Sequence, residues 1–242
     1  MKIDFIIAGA QKSGTTALHK FLGNHESIFI PDKKELHYFD DSLKYLLDIN
    51  YKSYHKNFEN ASLQDVKGEI TPSYMTDRRY AKRIFKYNPN IKLIFVLRNP
   101  MYRAYSHYQM MVSRGIESWD FKRAITVVRK FPFKKTRYKN KFHYLQRGFY
   151  GQMIEEYLNF FPRNSILVLN HDEMERDLLS FLNKILSFLG VSEYKKIENE
   201  VVFSNRYESM PNDLKDFAYQ FYKDDIKKLE HLTNISCENW KP

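Results

Sequence analysis

The sequence predicts an α/β fold: three α/β/α layers, with a central, mostly parallel sheet flanked by helices. Three observations predict it. Short apolar runs bounded by turn residues alternate with longer segments carrying apolar residues at three and four spacing, which is the wiring of repeated βαβ units. A glycine-containing turn separates the first apolar run from the first helical segment, where folds of this kind hold their ligands. At 242 residues and 43% hydrophobic composition the chain can build one large core, so a single domain over residues 1–242 is expected.

Each element follows in order. The first strand lies in Ile3 to Ala8 and the first helix in Ala17 to Leu22. Further strands are read over Ser27 to Ile30, Val66 to Ile70, Ile91 to Leu97 and Ser165 to Leu169. Helices are read over Asp77 to Tyr87, Met101 to Arg114, Tyr150 to Phe160 and Met174 to Leu189, with Gly190 placed to end the last of these. Pro211 opens a final helix over about Asn212 to Leu232, which leaves Val201 to Met210 as a late loop.

The first turn reads Gly9-Ala10-Gln11-Lys12-Ser13-Gly14-Thr15-Thr16. Two glycines allow a sharp turn, and amides at a helix start converge with hydroxyls and one ammonium, which is the chemistry of a phosphate cradle. The fold is therefore P-loop-like. A nucleotide triphosphatase loop carries lysine directly after its second glycine. Here that position is Thr15, and the loop's lysine is Lys12, two residues before Gly14. The displaced lysine points to a nucleotide other than a triphosphate.

Composition narrows the setting. No run of about 18 apolar residues suits a membrane span, and no signal-peptide pattern opens the chain. Cys237 is the one cysteine, so no internal disulfide forms and a cytoplasmic, reducing compartment is expected. The net charge of +10 suggests an anionic partner: a nucleotide, an acidic glycan, nucleic acid or a membrane surface. Much of that charge lies between Lys122 and Lys141.

Three further constellations carry chemistry. Lys33-Lys34-Glu35-Leu36-His37-Tyr38-Phe39-Asp40 follows the second strand, at the same sheet edge as Lys12. Glu35 there can take a proton from a hydroxyl, with burial against Tyr38 and Phe39 expected to raise its pKa, and His37 is the competing base. Leu97-Arg98-Asn99-Pro100 places Arg98 at a strand tip, where a guanidinium grips phosphate in two-pronged fashion. Ser106 lies two helical turns on and can donate to the same group, while Arg103 is read as a solvated or structural ion pair. The late loop Phe203-Ser204-Asn205-Arg206-Tyr207-Glu208-Ser209-Met210 offers one cation, polar donors and two aromatics.

Together these segments resemble the sulfotransferases that use 3′-phosphoadenosine-5′-phosphosulfate (PAPS), particularly the heparan-type glycan sulfotransferases and their bacterial relatives. Gln11 to Thr16 is similar to the family's 5′-phosphosulfate loop, and Leu97 to Ser106 to its 3′-phosphate motif. Lys34 to Phe39 resembles the segment that carries the glutamate base. Gly68-Glu69-Ile70-Thr71-Pro72-Ser73-Tyr74, Arg147-Gly148-Phe149-Tyr150 and Phe188-Leu189-Gly190 are also family-like.

The resemblance implies that Lys12, Ser13, Gly14, Thr15 and Thr16 hold the 5′-phosphosulfate and that Arg98 with Ser106 holds the 3′-phosphate. Asn205, Arg206 and Tyr207 would face the 3′-phosphate and adenine, although their loop lacks the lysine and glycine pattern of the heparan enzymes. Glu35 becomes the catalytic base. Ile70 stands where heparan enzymes often have lysine, and Met110 where N-sulfating members have a catalytic histidine, so transfer to oxygen is favoured over nitrogen.

The implied reaction is in-line sulfuryl transfer to an acceptor hydroxyl, with Lys12 stabilising charge on the leaving phosphate oxygen and without a metal. Its product is adenosine 3′,5′-bisphosphate (PAP). The heparan-type resemblance and the basic segment favour a carbohydrate acceptor, an acidic one included, with a lipid or small phenol as alternatives. A bacterial cytosolic enzyme fits best, with a trimmed Golgi-type catalytic domain as the alternative. Two rival functions stay open: a P-loop kinase acting on a nucleotide or small metabolite, and a basic non-enzymatic binder of nucleic acid. The first requires ATP with magnesium, and the second salt-sensitive RNA binding.

Overall fold

The structure, a computed structural model, describes residues 2–48, 50–62, 66–127, 143–197 and 210–241. Its strands are Phe5–Gly9 (β1), Ile28–Phe29 (β2), Val66–Ile70 (β3), Lys92–Leu97 (β4) and Ile166–Asn170 (β5), in the sheet order β2-β3-β1-β4-β5. Every neighbouring pair is parallel. All five expected strands are present, and the sheet is more uniform than expected, since none of its pairs is antiparallel. β1 is buried at every position and β4 at all but its first, as strands covered on both faces must be. β1 lies at the centre of the sheet, and its carboxyl end, the position where open α/β sheets bind ligands, leads into the turn before the first helix.

The chain divides into two compact units, Met1–Leu97 with Met153–Phe203 and Arg98–Gln152 with Ser204–Pro242. The first holds the whole sheet. One of its faces packs Ala17, Leu18, Phe21 and Leu22 of helix α1 (Thr15–Gly23) with Phe181, Leu182, Ile185, Leu186 and Leu189 around Phe5 and Ile7. An aromatic cluster of Tyr38, Phe39, Tyr54, Tyr74 and Tyr87 is also buried here, with the Tyr38 and Tyr54 rings 4.7 Å apart. Two short helices that periodicity did not reveal contribute to this region, α2 (Ser42–Leu47) and α3 (Lys52–His55). They are too short to carry a helical apolar stripe. α2 is started instead by Asp41, whose carboxylate accepts the amides of Leu43 and Lys44.

Helix α4 (Arg78–Tyr87) forms as expected and is capped by Asp77. The helix expected over Met174 to Leu189 is two helices, His171–Arg176 and Leu178–Leu189. Asp177 divides them: its backbone is extended at φ −149°, and its carboxylate accepts the amide of Ser180. An aspartate in the middle of an apolar pattern starts a new helix more readily than it continues one, because its side chain competes for backbone amides. Gly190, left-handed at φ 84°, ends the second helix as expected.

The second unit contains α5 (Pro100–Ser113), α6 (Phe121–Thr126) and the long helix Asn212–Thr233. Asn99 caps α5 by accepting the amide of Met101 at 3.0 Å. Asp225 accepts the amides of Gly151 and Gln152 at 2.8 and 2.9 Å, satisfying the first donors of the helix that begins at Tyr150. Among the described residues no helix is long and apolar enough to cross a membrane.

Candidate active site

The turn after β1 brings an anion-binding set of groups to the start of α1. Gly14 is the N-cap of that helix, in left-handed conformation at φ 76°, and no side chain caps the helix. The first amides of α1 therefore face the turn with the positive end of the helix dipole. A Cβ at Gly14 would lie 3.2 Å from Cδ2 and Nε2 of His171 and from Sδ of Met174, so glycine is required by both conformation and space. Lys12 shares the left-handed conformation at φ 73° and is half-buried. Ser13 is fully buried with no hydrogen-bond partner for its Oγ among the described residues, and Thr15, two residues on, is also buried. A buried hydroxyl left unmatched at a turn of exposed amides fits a ligand that supplies the acceptor.

The neighbouring strand β3 carries the second part of the site. Ile7 of β1 pairs with Ile70 of β3, and the Ile70 carbonyl accepts the amide of Glu35 at 3.2 Å. This brings the Lys33 to Asp40 segment to the same sheet edge as the turn, as the sequence predicts. Lys34 Nζ donates to Glu35 Oε1 at 2.8 Å, and His37 Nε2 lies 3.3 Å from Glu35 Oε2. His37 Nδ1 lies 2.8 Å from Asp40 Oδ2, which also accepts Ser73 Oγ at 2.5 Å.

The electrostatics reverse one expectation. The hydrogen bond from His37 and the Lys34 ammonium hold the Glu35 carboxyl down to about 2, against an opposing effect of burial. Tyr38 and Phe39 are buried, but they turn into the aromatic cluster, while Glu35 and His37 face outward to one another. His37, between the carboxylates of Asp40 and Glu35, is raised to about 10 and is an imidazolium at neutral pH. An imidazolium has no lone pair to accept a proton, so His37 could serve as a base only in its deprotonated form. The sequence analysis assigned no role to Asp40 or Ser73. The three-residue spacing of His37 and Asp40 is the available signal for the first, whereas Ser73 reaches the site only through the fold.

In the second unit, Arg98 follows β4 and is half-buried, with no hydrogen bond or ion pair to another described residue. Ser106 on α5 is buried, and its Oγ has no partner among the described residues. Both fit an anionic ligand. Arg103 is not the solvated residue expected: it is completely buried, donates from Nη2 to the Tyr144 carbonyl and makes no ion pair among the described residues. Asn205, Arg206 and Tyr207 lie outside the described residues, as does most of the basic Lys122 to Lys141 segment; its Lys122 and Arg123 are on α6, with the Arg123 guanidinium 4.5 Å from the Trp119 ring centre. His171, which is buried, half-buried Asp172 and exposed Glu175 place potential metal-ligand atoms within 4.8 Å of one another, a grouping that neighbouring residues on one helical turn also produce without an ion.

These groups suit transfer chemistry on a phosphate-bearing donor: an amide-lined turn with a lysine, and an ionised carboxylate on the adjacent strand edge. Comparison with known proteins agrees. A family model described as a sulfotransferase domain matches residues 2–242. The bifunctional heparan sulfate N-deacetylase/N-sulfotransferase 1 of Xenopus tropicalis is 24% identical over 97% of this chain and 30% of its own length. The heparan sulfate glucosamine 3-O-sulfotransferase 5 of Mus musculus is 26% identical over 77% of this chain and 53% of its own. The chain thus spans only about a third to a half of these curated relatives. A sulfotransferase from Alicyclobacillus acidocaldarius superposes over the full length of both chains with a TM-score of 0.82 and 26% identity. The sequence motifs, the parallel sheet with its amide-lined turn, and the family match over nearly the whole chain lead to one conclusion: this protein belongs to the sulfotransferase family.

Proposed function

We propose that the chain moves a sulfuryl group from PAPS to a hydroxyl of a carbohydrate acceptor. The observation that carries this reading is Glu35, held ionised by Lys34 and His37 at the strand edge next to the amide-lined turn. In this reading Lys12, Ser13, Gly14, Thr15 and Thr16 bind the 5′-phosphosulfate, Arg98 and Ser106 bind the 3′-phosphate, and Asn205, Arg206 and Tyr207 serve the nucleotide. The acceptor oxygen forms a bond to sulfur while the bond from sulfur to the bridging phosphate oxygen breaks. The electron pair leaves on that oxygen, where Lys12 stabilises it, and PAP departs. Glu35 takes the proton. A carboxylate of low basicity suffices, because an oxygen bonding to sulfur becomes strongly acidic as the bond forms.

Similarity to heparan sulfate enzymes supports the glycan acceptor, and similarity to a bacterial sulfotransferase over both whole chains supports a bacterial source. Cys237, buried and the one cysteine of the sequence, makes no internal disulfide, which fits a reducing cytosol. The test is transfer from isotope-labelled PAPS onto a panel of glycans, lipids and phenols, read by mass spectrometry. Sulfated glycan supports the reading, and labelling confined to lipids or phenols replaces the acceptor class. Glu35→Gln should abolish turnover and leave PAP binding intact, whereas near-normal turnover would place the base elsewhere. Arg98→Ala should weaken PAP binding by about two orders of magnitude, the scale of a lost charge-assisted phosphate contact.

A further inference from the structure

Glu69 on β3 is 1% exposed, and none of the described hydrogen bonds or ion pairs brings it a cation. Its carboxylate is matched by three hydroxyls. Tyr54 donates to Oε1 at 2.6 Å, Thr71 to Oε2 at 2.7 Å, and Tyr74 to Oε1 at 3.2 Å. The Tyr74 oxygen in turn accepts the backbone amide of Tyr38 at 2.9 Å and, at 3.4 Å, that of Phe39. A phenol has one proton. When Tyr74 gives it to Glu69, its lone pairs face the amides of the Glu35 to Asp40 segment.

That segment needs anchors. Glu35 and His37 are non-glycine residues in left-handed conformation, at φ 60° and 49°, a state that persists only where surroundings impose it. The segment's amides are held by the Ile70 carbonyl, which accepts from Glu35, and by the Tyr74 hydroxyl, which accepts from Tyr38 and Phe39, while its Leu36 and Phe39 carbonyls accept from Lys44 Nζ and Arg83 Nη1. The amide contacts trace back to the end of β3.

We propose that Glu69 is a positioning residue: its buried carboxylate, acting through the Tyr74 hydroxyl, fixes the left-handed segment that presents Glu35 to the acceptor. The inference rests on the reading of Glu35 as the base. An ionised carboxylate only accepts, so it sets the direction of all three hydroxyls. A protonated one must donate, which reverses one bond in the chain. The titratable groups around Glu69 are Tyr54 on α3, Tyr74 after β3, Tyr87 on α4, and Asp40. Burial pushes the Glu69 carboxyl up to about 7, with the three hydroxyls opposing and Asp40 adding to the rise. The anchor therefore strengthens as pH rises through neutrality.

The test measures amide hydrogen exchange at Tyr38 and Phe39 at about pH 6 and about pH 8, with PAP affinity and transfer to a desulfated heparan oligosaccharide. In the wild type, the protection factor at Tyr38 should rise about tenfold between these conditions, the equivalent of one net hydrogen bond. In Glu69→Gln it should be independent of pH, and turnover should fall about a hundredfold, the scale of a ~1 Å misplacement, with PAP affinity within about twofold of wild type. Tyr74→Phe keeps Glu69 and should lower protection at Tyr38 at both pH values, so it carries the test if Glu69→Gln does not fold. Equal protection in the wild type and both variants, or a pH response retained in Glu69→Gln, overturns the inference. Glu35→Gln separates the two readings: it should lose turnover with Tyr38 protection unchanged, and retained turnover refutes the base while leaving the exchange data to judge Glu69.

Discussion

Replacing Glu69 with glutamine should change how stability depends on pH, with a sign and size that follow from its burial. The carboxyl is raised from an ordinary 4.5 to about 7, chiefly by desolvation. A raised pKa means that the fold prefers the protonated form. The contribution of this group is therefore fully present below about 4.5, declines between about 4.5 and 7, and is absent above that range. At 1.36 kcal/mol per pH unit the full decline amounts to about 3 kcal/mol. Glutamine does not titrate, so the wild type should lose about that much stability relative to Glu69→Gln across the interval. Urea unfolding at several pH values reads this directly. With m near 2–3 kcal/mol/M, the gap between midpoints should change by about 1 M. The other shifted groups of the segment do not confound the comparison. Stability from Glu35 is lost only as pH falls toward about 2, stability from His37 is lost as pH rises from 6.5 through about 10, and both are common to the two proteins. Parallel stability curves would show that burial does not raise this carboxyl and would refute the reasoning.

Other substitutions have outcomes of different kinds. Gly14→Ala must place a Cβ 3.2 Å from His171 and Met174 on a left-handed backbone, so it should cost about 1–2 kcal/mol in thermal unfolding and lower PAP affinity in calorimetry. Ser106→Ala removes a hydroxyl with no partner among the described residues. Stability should stay within about 0.5 kcal/mol while PAP affinity falls about tenfold, and unchanged affinity would take Ser106 out of the donor site. Arg103→Ala should cost about 3 kcal/mol or more in chemical denaturation, because it opens a cavity and orphans the Tyr144 carbonyl.

Much of this protein was legible in the sequence, and for local reasons. Strand identity follows from short apolar runs, because a parallel strand buried on both faces has no polar position to hide. The turn from Gly9 to Thr16 was legible because its conformation and its ligand chemistry demand particular residue types within a few positions. The division of the Met174 to Leu189 segment at Asp177 was overlooked because the apolar spacing continues across it, while the capping carboxylate that makes the break is one residue.

The electrostatic character of each site residue was another matter. Whether Glu35 titrates high or low depends on which of its neighbours turn toward it, and Tyr38 and Phe39 turn away while Lys34 and His37 approach. Arg103 and Arg98 are both arginines after the same strand, yet one is completely buried against a carbonyl and the other is half-buried with no described partner. Glu69 is joined to the Glu35 to Asp40 segment through Tyr74 in the turn after β3 and is also bonded by Tyr54 of α3, an approach that no sequence spacing encodes. Residue types and their order were enough to determine the sheet, the glycine-containing turn after β1 and the family. Tertiary structure decided the charge states, because the left-handed backbone at Glu35 and His37 sets which of the near neighbours Lys34, His37 and Asp40 turn toward one another, and it decided the surroundings of Glu69, because residue spacing does not encode the approach of Tyr54 from α3.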